Sequence, residues 1–389
     1  VSERSWRTVR FAELAEPITD RVDNPSSAGV DRYVGLEHLD PERLRIARWG
    51  SPADVSSTKL RFERGDVIFG KRRAYQRKLA VADFSGICSA HAMVLRPREE
   101  NVEPSFLPFF LQSDAFFERA IAISVGSLSP TINWSALAGQ EFELPPRRMQ
   151  RRIATLLQAA QESAYCAEAV WHAARRAAAA HAAEFFASCA EPCPLETVAE
   201  VRSGLTVNRS RRSLDRQVPY LRVANVGRDR IDITELKSIG AASRDTQRYA
   251  LRAGDILVVE GHADRKEVGR AAIWTAPIQP CLHQNHLFCV RATEAVRPGF
   301  LALALQSPAL RSYFSARAKS TSGLHTINST AVRQAPVPVP SLPAQDAFLA
   351  AHARYTSCDD AYRHAVDVSW ELARALREEI LKGGSARVQ

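Results

Sequence analysis

The residues best suited to chemistry gather in one glycine-led run, Gly70-Lys71-Arg72-Arg73-Ala74-Tyr75-Gln76-Arg77-Lys78, which mixes cations with a tyrosine and a glutamine. Between Arg61 and Lys78 stand seven Lys or Arg against Glu63 and Asp66. Cationic side chains pair with phosphate oxygens, the Arg fork fits a guanine edge and Gln fits adenine. Lys71, Arg72, Arg73, Tyr75, Gln76, Arg77 and Lys78 are therefore candidate nucleic-acid contacts, with an ordinary solvated hairpin as the plainer alternative. A second set is Arg209, Arg211 and Arg212 together with His262, Arg265 and Lys266, where Glu260 and Asp264 temper the charge. Two hydroxyl-rich loops, around Ser127, Ser129 and Thr131 and around Ser320, Ser322 and His325, could donate to phosphates without sequence preference. A plain turn explains those loops almost as well.

Enzymatic chemistry finds less support. There is no Gly-rich nucleotide loop followed by Lys-Ser/Thr, no Asn/Asp-Pro-Pro-aromatic tetrad of an adenine-amino methyltransferase and no Gly-x-Ser-x-Gly elbow. Asp255 with Asp264 and Lys266 superficially suggests a metal-dependent nuclease, and His283, Asn285 and His286 a His-rich one. The first-half counterpart of that loop has no carboxylate, which counts against both. His91 and His286 read as structural, hydrogen-bonded histidines, and Asn133 and Asn328 as turn or cap residues. The seven cysteines, at 88, 166, 189, 193, 281, 289 and 358, offer no paired zinc-knuckle spacing and point to a reduced cytoplasmic protein. No catalytic, metal or cofactor residue is assigned.

The chain has 389 residues, 46% hydrophobic and 24% charged, which fits globular domains and excludes a disordered or collagen-like chain. No run approaches the ~20 apolar residues of a membrane span, and the segment 1–20 is charged rather than signal-like. Lys and Arg exceed Asp and Glu by 52 − 43 = 9. Such an excess suits a polyanionic partner, although only seven of the 52 are Lys and the Arg content also fits a GC-rich genome.

The elements that must position these residues are written twice. Gly65-Asp66-Val67-Ile68-Phe69 is echoed by Gly254-Asp255-Ile256-Leu257-Val258 at a shift of 189, and Thr131-Ile132-Asn133 by Thr326-Ile327-Asn328 at 195. Leu111-Gln112-Ser113 matches Leu305-Gln306-Ser307, and Leu144-Pro145 leading to Gln150 matches Val339-Pro340 leading to Gln345. The six-residue drift is expected in the loop after the Gly-Asp strand. Each half reads as β-prone runs, then one helix (about 105–121 and 298–316), a Ser/Gly/Thr loop and a Pro-rich closure. Each closure precedes a stretch without Gly or Pro, 42 residues over 147–188 and 39 over 344–382, long enough for a helix of ~60 Å. A heptad rhythm runs through Ile153, Leu156, Ala160 and Ser163 in the first and Phe348, Ala351, Ala365 and Leu372 in the second, which predicts an antiparallel coiled coil.

This order of elements resembles the specificity subunit of type I restriction-modification enzymes. The resemblance rests on the duplicated plan, on Leu144-Pro145-Pro146 with Gln150-Arg151-Arg152-Ile153-Ala154, on Val337-Pro338-Val339-Pro340 to Gln345, and on Val218-Pro219-Tyr220-Leu221-Arg222-Val223-Ala224-Asn225-Val226. Met149 and Ala344 stand where the family often has an acidic residue, which puts the methyltransferase-facing contacts in doubt. Arg32-Tyr33-Val34-Gly35-Leu36-Glu37-His38-Leu39 replaces the Pro-Tyr-Leu-Arg-Val-Ala-Asn form in the first half, as if the two domains had diverged to read different DNA.

The resemblance implies an α+β fold with two target-recognition domains, 1–145 and 191–342, in pseudo-two-fold arrangement. The long helices 146–190 and 343–389 would separate them as an antiparallel coiled coil. It further implies a non-catalytic protein that reads a bipartite, asymmetric site on double-stranded DNA and docks two methyltransferase subunits, with or without restriction/translocase subunits and with no membrane. S-adenosylmethionine would bind those partners. The alternatives are the metal-dependent nuclease and the same fold serving another DNA-modification-based defence system. If the helices set the gap between half-sites, deleting one turn from both will shorten that gap in the methylated motif; an unchanged gap would count against a ruler.

Overall fold

The computed structural model describes residues 6–189, 191–228, 230–321 and 323–382. The chain divides into two compact units, Val1–Val170 with Tyr362–Gln389, and Trp171–Ala361. Each unit combines sheets and helices, the α+β character expected. Among the described residues no helix is long and apolar enough to cross a membrane.

The duplication is a duplication of sheets. In unit one the strands Ala15–Ile18, Met93–Pro97, Val67–Phe69 and Leu79–Val81 lie in that order in an antiparallel sheet. Unit two repeats the order with Ala199–Ser203, Leu287–Ala292, Ile256–Val259 and Ala271–Ile273. Matching registers give shifts of 189 from Val67 to Ile256, 192 from Val81 to Ile273 and 195 from Leu95 to Val290. The six-residue drift is thus split: half follows the Gly-Asp strand as expected, and half lies beyond the next strand.

The Gly-Asp pair opens the central strand in both sheets. Gly65 and Gly254 have φ +96 and +90, a conformation that side chains resist. Each following Asp is buried and bridges two elements. Asp66 accepts the Glu63 N–H at 2.8 Å and pairs with Arg96 at 2.8 and 3.0 Å; Asp255 accepts the Arg252 N–H at 2.7 Å and pairs with Arg291 twice at 2.7 Å. The opening segments, so different in sequence, fold alike. Tyr33–Val34 runs parallel to Gly86–Ser89 as Gln217–Leu221 does to Leu282–His283, and a short turn follows in each. His38 Nδ1 accepts the Gly35 N–H at 3.0 Å where Asn225 Oδ1 accepts the Arg222 N–H at 2.9 Å. A histidine does in unit one what an asparagine does in unit two.

Both single helices expected after the sheets are instead broken pairs. Leu107–Gln112 gives way to Asp114–Ala122 at Ser113, and Pro298–Leu305 to Pro308–Arg317 at Gln306-Ser307. Each serine is extended and caps the next helix, Ser113 accepting from Phe116 N–H and Ser307 from Leu310 N–H. Such a cap satisfies an end donor that helix continuation would have satisfied otherwise, and Pro308 has no N–H to continue with.

The first long helix forms as expected, Arg147–Ser188. The second is interrupted at Ser357-Cys358, giving Leu342–Thr356 and Asp359–Lys382. The helix heads are fixed by two buried glutamines. Gln150 accepts the Glu103 N–H at 2.9 Å and donates to Pro145 O at 2.9 Å; Gln345 accepts the Arg297 N–H at 2.7 Å and donates to Pro340 O at 2.8 Å. The long helices contact each other and run antiparallel within each unit. In unit one Tyr165 meets Trp370 at 4.9 Å, and in unit two Phe185 stacks on Phe348 at 4.4 Å. Ile153 and Phe348 are buried at the helix heads as expected; farther along, the seam is rotated by one residue, with Leu157, Gln161, Ala164, Val366 and Ala373 buried and Leu156 and Leu372 exposed.

Candidate nucleic-acid interface

The run Gly70 to Lys78 joins strands Val67–Phe69 and Leu79–Val81 and carries a short turn, Ala74–Gln76. Its two flanks, Arg73 and Arg77, sit in the left-handed region at φ 57 and 52. Each such residue costs on the order of 1–2 kcal/mol unless its surroundings enforce it. The turn lifts Tyr75 into solvent, 54% exposed, with Gln76 half-buried beside it.

Lys71, Arg72 and Arg73 lie alongside the first hydroxyl loop. Ile132 N–H donates to Lys71 O at 3.0 Å, Arg72 bridges Thr131, and Arg73 N–H donates to Pro130 O at 2.7 Å. The Arg73 side chain reaches Ser129 Oγ at 3.2 Å, while Thr131 Oγ1 donates to Ser129 O. Ser127 and the neighbouring Leu128 are exposed at the loop tip. His91, the proposed structural histidine, is exposed and meets Arg72 Nη1 through Nε2 at 3.1 Å. Burial and then the Arg72 and Lys71 charges hold its pKa below the ordinary value, and burial holds that of Lys71 below its own. The site thus keeps His91 as a neutral acceptor among cations.

Arg77 and Lys78 face inward. Arg77 bonds Asp114 Oδ1 and Gln112 O, each at 2.6 Å, and Lys78 Nζ donates to Leu36 O at 2.7 Å. The sequence run is therefore two groups: a basic strip at 71–76, of which Arg73 and Tyr75 are exposed and Lys71, Arg72 and Gln76 partly so, and two anchors behind it.

Unit two builds the same strip from other residues. Gly261–His262 pairs with Leu324–Thr326, which pairs with Lys319–Thr321, so His262 faces His325 and His325 faces Ser320. Ile327 N–H donates to Glu260 O as Ile132 N–H does to Lys71 O. Glu260-Gly261-His262 therefore stands where unit one has Lys71-Arg72-Arg73. His286, equivalent to His91, meets Glu260 at 2.7 Å rather than an arginine. Ser322 lies outside the described residues, as does the Arg212 side chain.

Asp264 caps the turn Arg265–Glu267 through Lys266 N–H, and Arg265 donates to Ser315 O at 2.8 Å. Lys266 is exposed on a cleft of about 710 Å³ lined also by Arg228, Arg265 and Arg311. Arg228 and Arg311 carried no local sequence signal, being 37 and 46 residues from Arg265. Arg209 is exposed, but Arg211 is held by Asp245 at 2.8 Å and Thr206 O at 3.0 Å, beside a different sheet from His262.

The carboxylates that suggested a nuclease are used otherwise: Asp255 is buried against Arg291, and Asp264 caps a turn. His283 is buried and bonds Tyr249 O at 3.1 Å, and burial brings its pKa down to about 4. Asn328 caps the helix Ser329–Arg333 by accepting from Ala331 N–H, and Asn133 occupies the matching cap without a side-chain bond.

Residues 53–163 match the family model described as the Type I restriction modification DNA specificity domain. The Type I restriction enzyme EcoDI specificity subunit of Escherichia coli is 27% identical over 158 residues, covering 38% of this chain. The match spans about a third (33%) of that relative's length. Among solved structures, a chain reported for complex assembly and conformational transition of the type I R-M system superposes with a TM-score of 0.61 at 20% identity, covering 98% of both chains. The Type-I restriction-modification system S subunit from M. genitalium gives 0.55 at 14% identity, covering 97% of this chain and 96% of that one. These two likenesses concern the fold.

Proposed function

We infer that this chain is a specificity subunit of the type I restriction-modification kind, a non-catalytic, sequence-specific DNA-binding subunit; the match of residues 53–163 to the DNA specificity domain and the sequence likeness to the EcoDI subunit support the reading. Its target is a bipartite, asymmetric duplex site. Residues 1–145 and 191–342 each read one half-site, and the long helices, with the adjoining domain faces, dock two methyltransferase subunits, with restriction/translocase subunits where the system has them. S-adenosylmethionine belongs to those partners.

One observation carries the asymmetry. The same sheet position presents Lys71-Arg72-Arg73 in unit one and Glu260-Gly261-His262 in unit two. Equal frames with unequal chemistry support two readers of different sequence, because base edges are distinguished by donor and acceptor pattern. Lys71, Arg72, Arg73, Tyr75 and Gln76, with Ser127, Ser129 and Thr131, form the proposed surface of unit one. His262, Ser320, His325 and Lys266 form that of unit two, with Arg209 and Arg265 at its margin.

Replacing Lys71, Arg72 and Arg73 together by alanine is expected to weaken duplex binding by the purified chain at least about tenfold. The slope of log K against log salt should fall by about 2 to 3, near one for each phosphate left unpaired. Binding unchanged in both respects, or metal-dependent cleavage by the chain alone, would overturn the reading. In cells, deletion of the chain should erase a two-part methyladenine motif with a fixed gap.

A further inference from the structure

We propose that Arg377 and Glu378 of the last helix are positioning residues for the basic strip of unit one, acting through Arg77; the proposal rests on the functional reading above. The strip's turn is flanked by Arg73 and Arg77, both left-handed and neither a glycine. A conformation of that kind persists where surrounding contacts over-determine it.

The contacts that hold Arg77 lead to the last helix. Glu42 lies between the two arginines, its Oε1 2.6 Å from Arg77 Nε and its Oε2 2.7 Å from Arg377 Nη2. Gln112 joins them a second time. Its carbonyl accepts from Arg77, and its Oε1 accepts from Arg377 Nη1 at 3.2 Å and from Gln161 of the central helix at 3.0 Å. Glu378 closes the set, with Oε1 at 2.9 Å from Arg377 Nη2 and Oε2 accepting the Asp114 N–H at 2.9 Å. Asp114 in turn binds Arg77. Burial alone would raise the Asp114 carboxyl; the Arg77 bond and the charges of Arg77, Arg374 and Arg377 bring it below its ordinary value.

Arg377 is 3% exposed, on a helix face that otherwise buries Val366 and Ala373. Buried ion pairs return little net stability compared with well-packed apolar side chains. What this one supplies is direction: four charged groups, Glu42, Asp114, Arg377 and Glu378, and the Gln112 amide fix one orientation of Arg77, hence one backbone path for Arg73 to Arg77 and one placement of Tyr75. Unit two holds its loop by another route, with Arg311 donating to Val268 O at 3.1 Å and Arg265 donating to Ser315 O at 2.8 Å.

The test is selection from a random duplex pool by the full chain, comparing wild type with Glu378→Gln and Arg377→Met. The half-site erased by Lys71/Arg72/Arg73→Ala identifies unit one's target. In both clamp variants the base preference at that half-site should flatten by about tenfold, while the other half-site and the affinity for unrelated duplex stay as in wild type; the melting temperature falls, as the loss of one partner of a buried ion pair requires. Arg377→Met retains side-chain volume, and Glu378→Gln serves if it fails to fold. An unchanged preference at unit one's half-site in a folded variant overturns the proposal, as does parallel loss at both half-sites. A wild-type chain that selects no sequence overturns the functional reading itself, a distinguishable result.

Discussion

Replacing Asp255 by alanine is expected to destabilise unit two by about 3 kcal/mol or more, the range found when one partner of a buried ion pair is removed. The carboxylate is 1% exposed and makes two bonds to Arg291 and one to the Arg252 N–H. Alanine leaves the half-buried guanidinium without its carboxylate and the turn amide without its acceptor. Asp66→Ala should destabilise unit one by less, because Arg96 is 38% exposed and keeps Glu63 as a second partner. Because the chain has two units, the effect is best read by denaturant titration with hydrogen exchange, which assigns the loss to one unit. Asp255→Ala with Arg291→Met should recover much of it. A loss below about 1 kcal/mol would show that water replaces the carboxylate. Were Asp255 a nuclease ligand instead, its removal would end cleavage and leave stability nearly untouched.

Acid should weaken unit two more than unit one, and His283 is the reason. Its imidazole is buried, and that burial brings its folded pKa to about 4, below the ordinary 6.5. The unfolded chain therefore takes up the proton first. Stability is fully present above pH ~6.5 and is lost as pH falls from there toward 4, by about 3 kcal/mol in all. Unit one places Cys88 at the equivalent strand position, where burial pushes the thiol up to about 12 and no proton is exchanged in this range. His283→Cys should flatten the acid limb of a urea midpoint against pH profile. A limb that survives the substitution assigns the sensitivity to other groups.

Much of this frame was legible because both copies repeat local signals. Gly-Asp before an apolar run marks the central strand, and Gln after a Pro-rich closure marks the helix head, each set by contacts a few residues away or by a cap. The broken helices were less legible. Ser113-Asp114 and Ser307-Pro308 are ordinary cap signals, overridden in reading by the apolar periodicity of phenylalanines and leucines around them. The helix seam was misplaced for a related reason: it buries Gln161 and Arg377 and exposes Leu372, 63% accessible, so polarity pointed the wrong way. Arg77 and Lys78 looked identical to their neighbours in sequence. The distant Glu42, Gln112 O, Asp114 and Leu36 O show that they face inward.

Unit one is discontinuous: residues 362–382 belong to it, and all of unit two intervenes. At about 5 to 20 residues per second of synthesis, that intervening stretch takes roughly 10 to 40 s to make. For that interval a nascent unit one lacks Leu376, Ile380 and Leu381, which pack on its core, as well as Arg377 and Glu378. Unit two, written as one uninterrupted stretch, has no such wait. Of the two units, the one begun first is thus the later to be finished, and the time between is when the helix Asp359–Lys382 of a neighbouring chain can compete for its place.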